Sequence, residues 1–307
     1  MAHTDGVTYA DPAALADALR ASGYLPDEGL ATAAYLALRM GRPLFVEGDA
    51  GVGKTSLAQA MATVLDAPLI RLQCYEGIDV AQAVYDWDFP RQLLHLRAAE
   101  AAGRAGDADA LEGELYSRRF LLARPLLQAI ETTPSVLLVD EVDRADDEFE
   151  ALLLEVLSDF AVTIPEIGTV RAAAPPMVVV TSNRTREVHD ALKRRCLYHW
   201  VEHPDFAREL AIVRHRHPGV TERLGAQVAR AVGHLRAVDL QKPPGVAETL
   251  DWTEALLTLG VESLDPDAVM RTLGAVLKYR EDQEQVSDGG LVALLDAAMR
   301  EAAADAG

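Results

Sequence analysis

The stretch Phe45–Met61, FVEGDAGVGKTSLAQAM, holds the residues whose types and spacing carry the most chemistry. Gly48, Asp49, Ala50, Gly51, Val52, Gly53, Lys54 and Thr55 spell GxxxxGKT, and Ser56 follows. Glycines let backbone N–H groups curl around an anion without Cβ clashes. A lysine at this spacing reaches β- and γ-phosphates, and the hydroxyl after it can sit on Mg²⁺. A helix starting there turns its positive end toward the same phosphates. The motif needs a strand–loop–helix setting. Pro43–Gly48 reads as a buried strand and Ser56–Leu65 as a helix, so residues 48–56 are expected to bind a nucleotide. Asp49 is unfavourable beside phosphates unless it points away, and it sits early in the loop, where side chains face outward.

A phosphate loop alone does not separate a kinase, a GTPase and a remodelling ATPase, so later segments must decide. Ser135–Ala145, SVLLVDEVDRA, is an apolar run ending in Asp140 and Glu141. An aspartate at the end of a buried strand beside a phosphate loop can hold Mg²⁺, and the adjacent Glu141 is placed to polarise a water against the γ-phosphate. Asp143, Asp146 and Asp147 read as solvated helix-start acids. Val178–Glu187, VVVTSNRTRE, ends a strand near Asn183. That amide either hydrogen-bonds the γ-phosphate or attacking water, or simply forms a turn. Asp190–Trp200, DALKRRCLYHW, puts Arg194 and Arg195 at a helix end. They either complement the helix dipole or act as an arginine finger across a subunit interface.

The elements that must position these residues alternate. Strands are expected at Leu44–Glu47, Leu69–Cys74, Val136–Asp140, Val178–Ser182 and Leu197–Val201. Helices are expected at Asp11–Ser22, Glu28–Met40, Ser56–Leu65, Phe120–Glu131, Phe149–Phe160 and Val188–Arg194. This is the pattern of an α/β fold with a parallel sheet and helices on both faces. Ala99–Gly113 reads as an insertion or a long exposed helix. From Phe206 onward only helical patterns occur, broken at Pro218, Pro243–Gly245 and Gly260. The expected organisation is residues 1–203 as a nucleotide-binding αβα domain with an insert around 75–118, and residues 204–307 as a smaller all-helical domain.

The bulk numbers narrow the function. The chain has 307 residues and a formal charge of -19, which repels nucleic acid and anionic membranes in the absence of a local basic patch. No apolar run approaches the roughly 18 residues that span a membrane. Met1–Gly6 lacks the marks of an export signal. Cys74 and Cys196 are far apart and form no CxxC, as expected of core thiols in a reducing cytoplasm. A cytoplasmic location without membrane insertion is therefore expected.

GDAGVGKT, LLVDE, TSN and LKRRC, in that order, resemble the AAA+ ATPases over roughly Gly23 to Gly260. Within them the chain is similar to the MoxR family of the helix-2-insert clade, through IRLQCYEGIDVAQAVYDWDFPRQLL, DFAVTIPEIGTV and KPPGVAETLDWTEAL. KPPGVAETLDWTEAL and CLYHW resemble the CoxD-like subgroup, typified by an ATPase of carbon monoxide dehydrogenase maturation. The resemblance implies a three-layer αβα P-loop domain with a five-stranded parallel sheet and a helical lid. It also implies ATP and Mg²⁺ as cofactors, a homo-hexameric ring, remodelling of a protein client, and a partner carrying a von Willebrand factor A domain. It assigns Gly48, Gly53, Lys54 and Thr55 to Walker A, and Asp140 and Glu141 to Walker B. Asn183 becomes sensor 1, and Arg195, with Arg194 as runner-up, the finger. Many such lids carry a sensor-2 arginine where this chain has Thr249; Lys242 could substitute.

Other classes are weighed against this. A small-molecule kinase would use the loop but needs neither Glu141 nor an arginine acting in trans. A GTPase would carry NKxD, which is absent from the sequence. A DNA motor of the same clade would place basic residues in the hairpin before the fourth strand, where Val162–Val170 offers Glu166 and no Lys or Arg. A nucleotide-gated adaptor with little hydrolysis fits the missing sensor-2 arginine. Tyr85, Trp87 and Phe89 either pack the insert onto its own domain or form a client-touching loop. His203, His215 and His217 lack the further ligands a metal site would need.

Overall fold

A computed structural model describes residues 9–102 and 108–289. Met1–Gly6, part of the Ala99–Gly113 stretch and the end of the 204–307 span lie outside the described residues. Two compact units emerge. One comprises residues 1–22, 26–47 and 55–200, and the other 23–25, 48–54 and 201–307.

Strands β1 (Leu44–Gly48), β2 (Leu69–Gln73), β5 (Val136–Asp140), β8 (Met177–Ser182) and β9 (Leu197–Val201) form a parallel five-stranded sheet in the order β2-β5-β8-β1-β9. The sequence explains the order. VLLVD, MVVVTS and LFVEG are buried throughout, as central strands covered on both faces must be. The edge strands β2 and β9 are only partly buried. The register sets Gln73 beside Asp140 and Glu47 beside Ser182. The carboxyl ends of the strands, where loops of an α/β sheet gather functional groups, therefore meet at one edge.

Helices flank the sheet at Pro12–Ala21, Glu28–Met40, Lys54–Val64, Pro125–Glu131, Asp147–Asp159 and Asp190–Arg195. Asp11, Asp27 and Asp146 cap three of them by accepting from the N–H three residues on. Each such cap is worth about 1 kcal/mol. The core joins Phe45, Leu137, Val139, Val178 and Val180 of the sheet to Leu126, Phe149, Leu153 and Leu192 of the helices.

Two small antiparallel sheets accompany the main one: β3 (Tyr85–Trp87) with β4 (Leu121–Ala123), which was not expected as a strand pair, and β6 (Ala161–Ile164) with β7 (Gly168–Arg171), a hairpin over the Val162–Val170 stretch. The first corrects the helix expected at Phe120–Glu131. Pro125 opens that helix, and the residues before it pair with β3 instead. Among the described residues the insert carries the short helix Val80–Ala83 and the helices Phe89–Ala101 and Ala108–Leu115, the last two reaching into the Ala99–Gly113 stretch.

In the second unit, helices Phe206–Arg216, Glu222–Ala237, Val246–Thr258, Pro266–Val276 and Arg280–Gly289 surround Trp252, Leu256, Val232 and Leu273. Trp252 is fully buried, and its indole N–H donates to Thr272 Oγ1 at 2.7 Å. No described helix is long and apolar enough to cross a membrane.

Candidate functional site

Asp140, at the end of β5, is 3% exposed and has a full set of donors. Its Oδ1 accepts from Thr181 Oγ1 at 2.6 Å and Thr55 Oγ1 at 3.1 Å. Its Oδ2 accepts from Arg71 Nε at 3.0 Å and Nη2 at 2.6 Å. A buried carboxylate is stable only when partnered in this way. The Thr55 hydroxyl and the Asp140 carboxylate are neighbouring hard oxygen donors, the kind Mg²⁺ takes while keeping waters and substrate phosphates in its other positions. These two residues would hold the ion.

Glu141 follows in the left-handed region, φ 56 and ψ 52. For a residue with a side chain this costs on the order of 1–3 kcal/mol. The turn is held by the Glu141 N–H, which donates to Thr181 Oγ1 at 2.9 Å. Thr181 thus ties both acids to β8. The Glu141 carboxylate accepts from Asn183 Nδ2 at 3.1 Å and Gln73 Nε2 at 3.0 Å, and pairs with Arg144 Nε at 3.0 Å. Asn183 is therefore brought onto Glu141 directly.

The sequence expectation for Asp143 is corrected. It is buried, not solvated, and accepts from the N–H groups of Asn183 (3.2 Å) and Thr185 (2.8 Å) and from Thr185 Oγ1 (2.7 Å). An acid after a strand end reads as solvent-facing, but here the segment after β8 folds over it. Asp146 and Asp147 remain exposed. Buried Glu150 fixes the same segment further along, through the Arg186 guanidinium and the His189 N–H (2.7 Å).

Arg194 and Arg195 end the helix Asp190–Arg195, and both side chains are exposed. Arg194 pairs with Asp190 at 2.6 Å. Their backbone is anchored by Arg42, which donates to the carbonyls of Arg195 (3.1 Å), Arg194 (2.9 Å) and Cys196 (3.2 Å). A guanidinium on the last carbonyls of a helix is a favourable C-terminal cap.

In the second unit, Gly48–Lys54 packs on the start of the helix Val246–Thr258. The N–H groups of Val246 (2.9 Å) and Ala247 (3.3 Å) donate to the Gly51 carbonyl. This satisfies donors that a helix start otherwise leaves free. The approach requires glycine on both sides. A Cβ on Gly51, at φ +80, would sit 2.9 Å from Glu248 Oε2, and one on Gly245 would sit 2.8 Å from the Ala50 carbonyl. Lys54 is 6% exposed, with its ammonium on the carbonyls of Gly48 (2.8 Å) and Asp49 (2.6 Å). The Asp49 side chain is 67% exposed and lies 3.3 Å from His203 Nε2. Ala50 is exposed, Val52 is buried, and Ser56 is exposed in the first turn of the helix.

A model of the AAA domain (dynein-related subfamily) matches residues 43–196. The chain belongs to this family. The match spans the glycine loop, both strand-end acids, Asn183 and the paired arginines, and it places the chain among the AAA+ ATPases. No curated protein matches. Among solved structures, domain III of the Thermotoga maritima replication initiation protein DnaA is similar at 17% identity and a TM-score of 0.47, covering 84% of this chain and 96% of that one. The Thermotoga maritima RuvB Holliday junction branch migration motor is similar at 15% identity and a TM-score of 0.46, covering 91% and 80%. At this level neither bears on activity.

Several residues of this AAA+ chain matter to the site without a readable sequence signal: Arg71, Gln73, Thr181 and Arg42. Their roles depend on strand register and on contacts distant in sequence. Thr249 is fully buried, and its single hydroxyl proton faces Glu209 Oε1 at 2.6 Å and the Gly245 carbonyl at 3.0 Å. Buried Glu209 also pairs with Arg236. Lys242 is 40% exposed, with its ammonium 3.9 Å from Glu248 Oε1. His203, His215 and His217 form no metal-ligating group, nor do any other described residues. Burial, joined by the charge of Asp140, pushes the Cys74 thiol up to about 12, and burial alone raises Cys196 to about 12. Both are buried thiols of low reactivity.

Proposed function

We propose that this AAA+ chain hydrolyses ATP with Mg²⁺ and uses the energy to remodel or mature a protein client. The observation that carries this is the bonding at the end of β5. Asp140 is joined to the Thr55 hydroxyl, and the next residue, Glu141, is held in a strained turn with its carboxylate on Asn183. In this reading the backbone of residues 48–56 and the Lys54 ammonium take the phosphates. Thr55 and Asp140 hold Mg²⁺, which neutralises phosphate charge. Glu141 orients and polarises the attacking water, and Asn183 positions it. Arg195 reaches the nucleotide of a neighbouring subunit in a homo-hexameric ring.

The finer assignment is MoxR-type, close to the CoxD-like subgroup, with a von Willebrand factor A domain partner and metalloenzyme maturation as one client class. Its support is the sequence resemblance. The β6–β7 hairpin, with Glu166 in its turn, and the charge of -19 favour a protein client over nucleic acid.

A second reading is a nucleotide-gated adaptor with slow basal turnover. It is favoured by the Glu141 carboxylate, whose oxygens are occupied by Gln73, Asn183 and Arg144. Those contacts must be exchanged before the carboxylate can take a water. Lys54→Ala tests the shared premise. Isothermal titration is expected to show ATP binding lost, because the loop loses the cation aimed at the phosphates. Unchanged affinity would remove the loop from both readings.

A further inference from the structure

The helix Phe89–Ala101 buries little apolar surface of its own, Ala99 being its one fully buried apolar residue among the described side chains. A surface helix buries an apolar stripe and presents polar groups to water. This one buries Gln92, whose amide donates to the Leu115 carbonyl at 2.7 Å. It turns His95 onto Glu114 at 2.9 Å. Phe89, Leu93 and Leu94 face out, at 60%, 52% and 69% exposure. Leaving three large apolar side chains in water while burying an amide makes sense for a face that something covers.

The rim of this face is basic, on a chain whose formal charge is -19. Arg91, Arg97 and Arg119 are exposed. The guanidiniums of Arg91 and Arg119 lie 5.8 Å and 5.3 Å from the centre of the buried Phe120 ring, which holds them in place. The Arg118–Phe120 turn is bound to the helix start by the Asp88 N–H, which donates to the Phe120 carbonyl at 2.9 Å. Neighbouring Arg118 and Arg124 are neutralised by Glu131 and Asp86. Among the described residues no carboxylate pairs with Arg91, Arg97 or Arg119, and Glu100 is the single acid within the helix.

We propose that the outward face of Phe89–Ala101, with its arginine rim, docks an acidic segment of a partner protein that carries apolar side chains. The leucines and Phe89 supply the apolar contact, and the arginines select for carboxylates and against basic segments. Three arginines fall short of the cation-rich polar face by which helices lie on membranes. Naming the occupant a protein rests on the proposed remodelling function. The docking itself does not, so the test runs without nucleotide and is repeated on Lys54→Ala.

The probe is a short fluorescein-labelled peptide of Asp, Glu, Leu and Phe, titrated against the full chain by anisotropy. Two controls replace its acids with Lys or its apolar residues with Ser. The acidic apolar peptide is expected to bind, and both controls to bind at least about tenfold more weakly, a difference of about 1.4 kcal/mol. Leu93→Ser with Leu94→Ser, and Arg91→Glu with Arg119→Glu, should each weaken the peptide about tenfold or more. Arg97→Glu, which disturbs no ring contact, covers the case in which the paired arginine variant unfolds. Absence of peptide binding, or equal binding of the Lys control, overturns the proposal. So does binding to phosphatidylserine vesicles that the same variants abolish while the peptides show no preference. Self-association lost in the leucine variant would assign the face to a second copy and likewise overturn it.

Discussion

The acids at the end of β5 and the arginines at the end of the helix Asp190–Arg195 are both fixed, but by opposite parts of the residue. Asp140 and Glu141 are held by their side chains, through Thr55, Thr181, Arg71, Gln73 and Asn183. Arg194 and Arg195 are held by their carbonyls, through Arg42, while their guanidiniums face solvent. Side chains that act within one chain can be fully bonded there. A side chain meant for another subunit needs a rigid base and a free end. The contrast supports the proposed division of labour, with the acids serving their own nucleotide and an arginine serving a neighbour's.

The sharpest way to break this comparison is Arg195→Ala. ATP binding should stay close to wild type, while hydrolysis falls by about 10³–10⁵, as when an arginine finger is removed. Mixing Arg195→Ala with Lys54→Ala should restore activity above either parent, since some interfaces then pair an intact loop with an intact arginine. Steady-state phosphate release reads the outcome, with cross-linking to verify mixed rings. No rescue in verified mixed rings would return Arg195 to a structural role. Arg194 is already paired with Asp190, so Arg194→Ala should change little.

Glu141→Gln addresses the other side. The amide keeps the shape and still binds ATP and Mg²⁺, but cannot polarise water, so turnover should fall by about 10²–10⁴. If the assembled variant turned over at the wild-type rate, Glu141 would be a turn residue only.

How much of this was legible in the sequence follows from what each position requires. The glycine loop was legible because backbone conformation dictates residue type: Gly51 sits at φ +80, where a side chain is strained, and Gly245 opposite it would bring a Cβ 2.8 Å from the Ala50 carbonyl. The three central strands were legible because burial on both faces leaves only apolar runs. Arg71 and Gln73 were not, since their partners depend on the β2–β5 register, which places Gln73 beside Asp140. Asp143 was misread because the same residue caps a solvated turn in one context and organises a buried loop in another. The cluster Tyr85, Trp87 and Phe89 could not be resolved from sequence, because one strand-to-helix segment sends its side chains to different surroundings. Trp87 packs edge-on against Tyr116 at 5.2 Å, and Phe89 is left exposed.

Asp143 offers a smaller, structural test. Asp143→Ala leaves the N–H groups of Asn183 and Thr185 and the Thr185 hydroxyl without their acceptor; Thr185 is exposed and can turn to water, so the cost falls mainly on the half-buried Asn183 N–H. A stability loss of about 1–3 kcal/mol in urea unfolding is expected, accompanied by slower hydrolysis because Asn183 loses its anchor. Asp143→Asn keeps one acceptor oxygen and should lose less. Hydrolysis unaffected by a destabilising Asp143→Ala would separate the loop from the chemistry.

The smallest expected effect belongs to His203, beside the phosphate loop in the other unit. Burial, aided by Arg236 and opposed by Asp49 and Glu209, holds its imidazole below the ordinary value of 6.5. The sign follows from linkage. Above that ordinary value the imidazole is neutral in both folded and unfolded chains, and its contribution to stability is fully present. As the pH falls below it, the unfolded chain takes up a proton that the folded chain resists, so stability is lost until the folded value is passed. Thermal unfolding of wild type should therefore shift downward between about pH 7 and pH 5 by more than that of His203→Gln. The variant keeps an amide that can still donate to Asp49, so the difference between the two curves isolates the proton from the contact. Parallel curves would mean that Asp49, 3.3 Å away, offsets the burial and keeps the ring's charge equally accessible in both states.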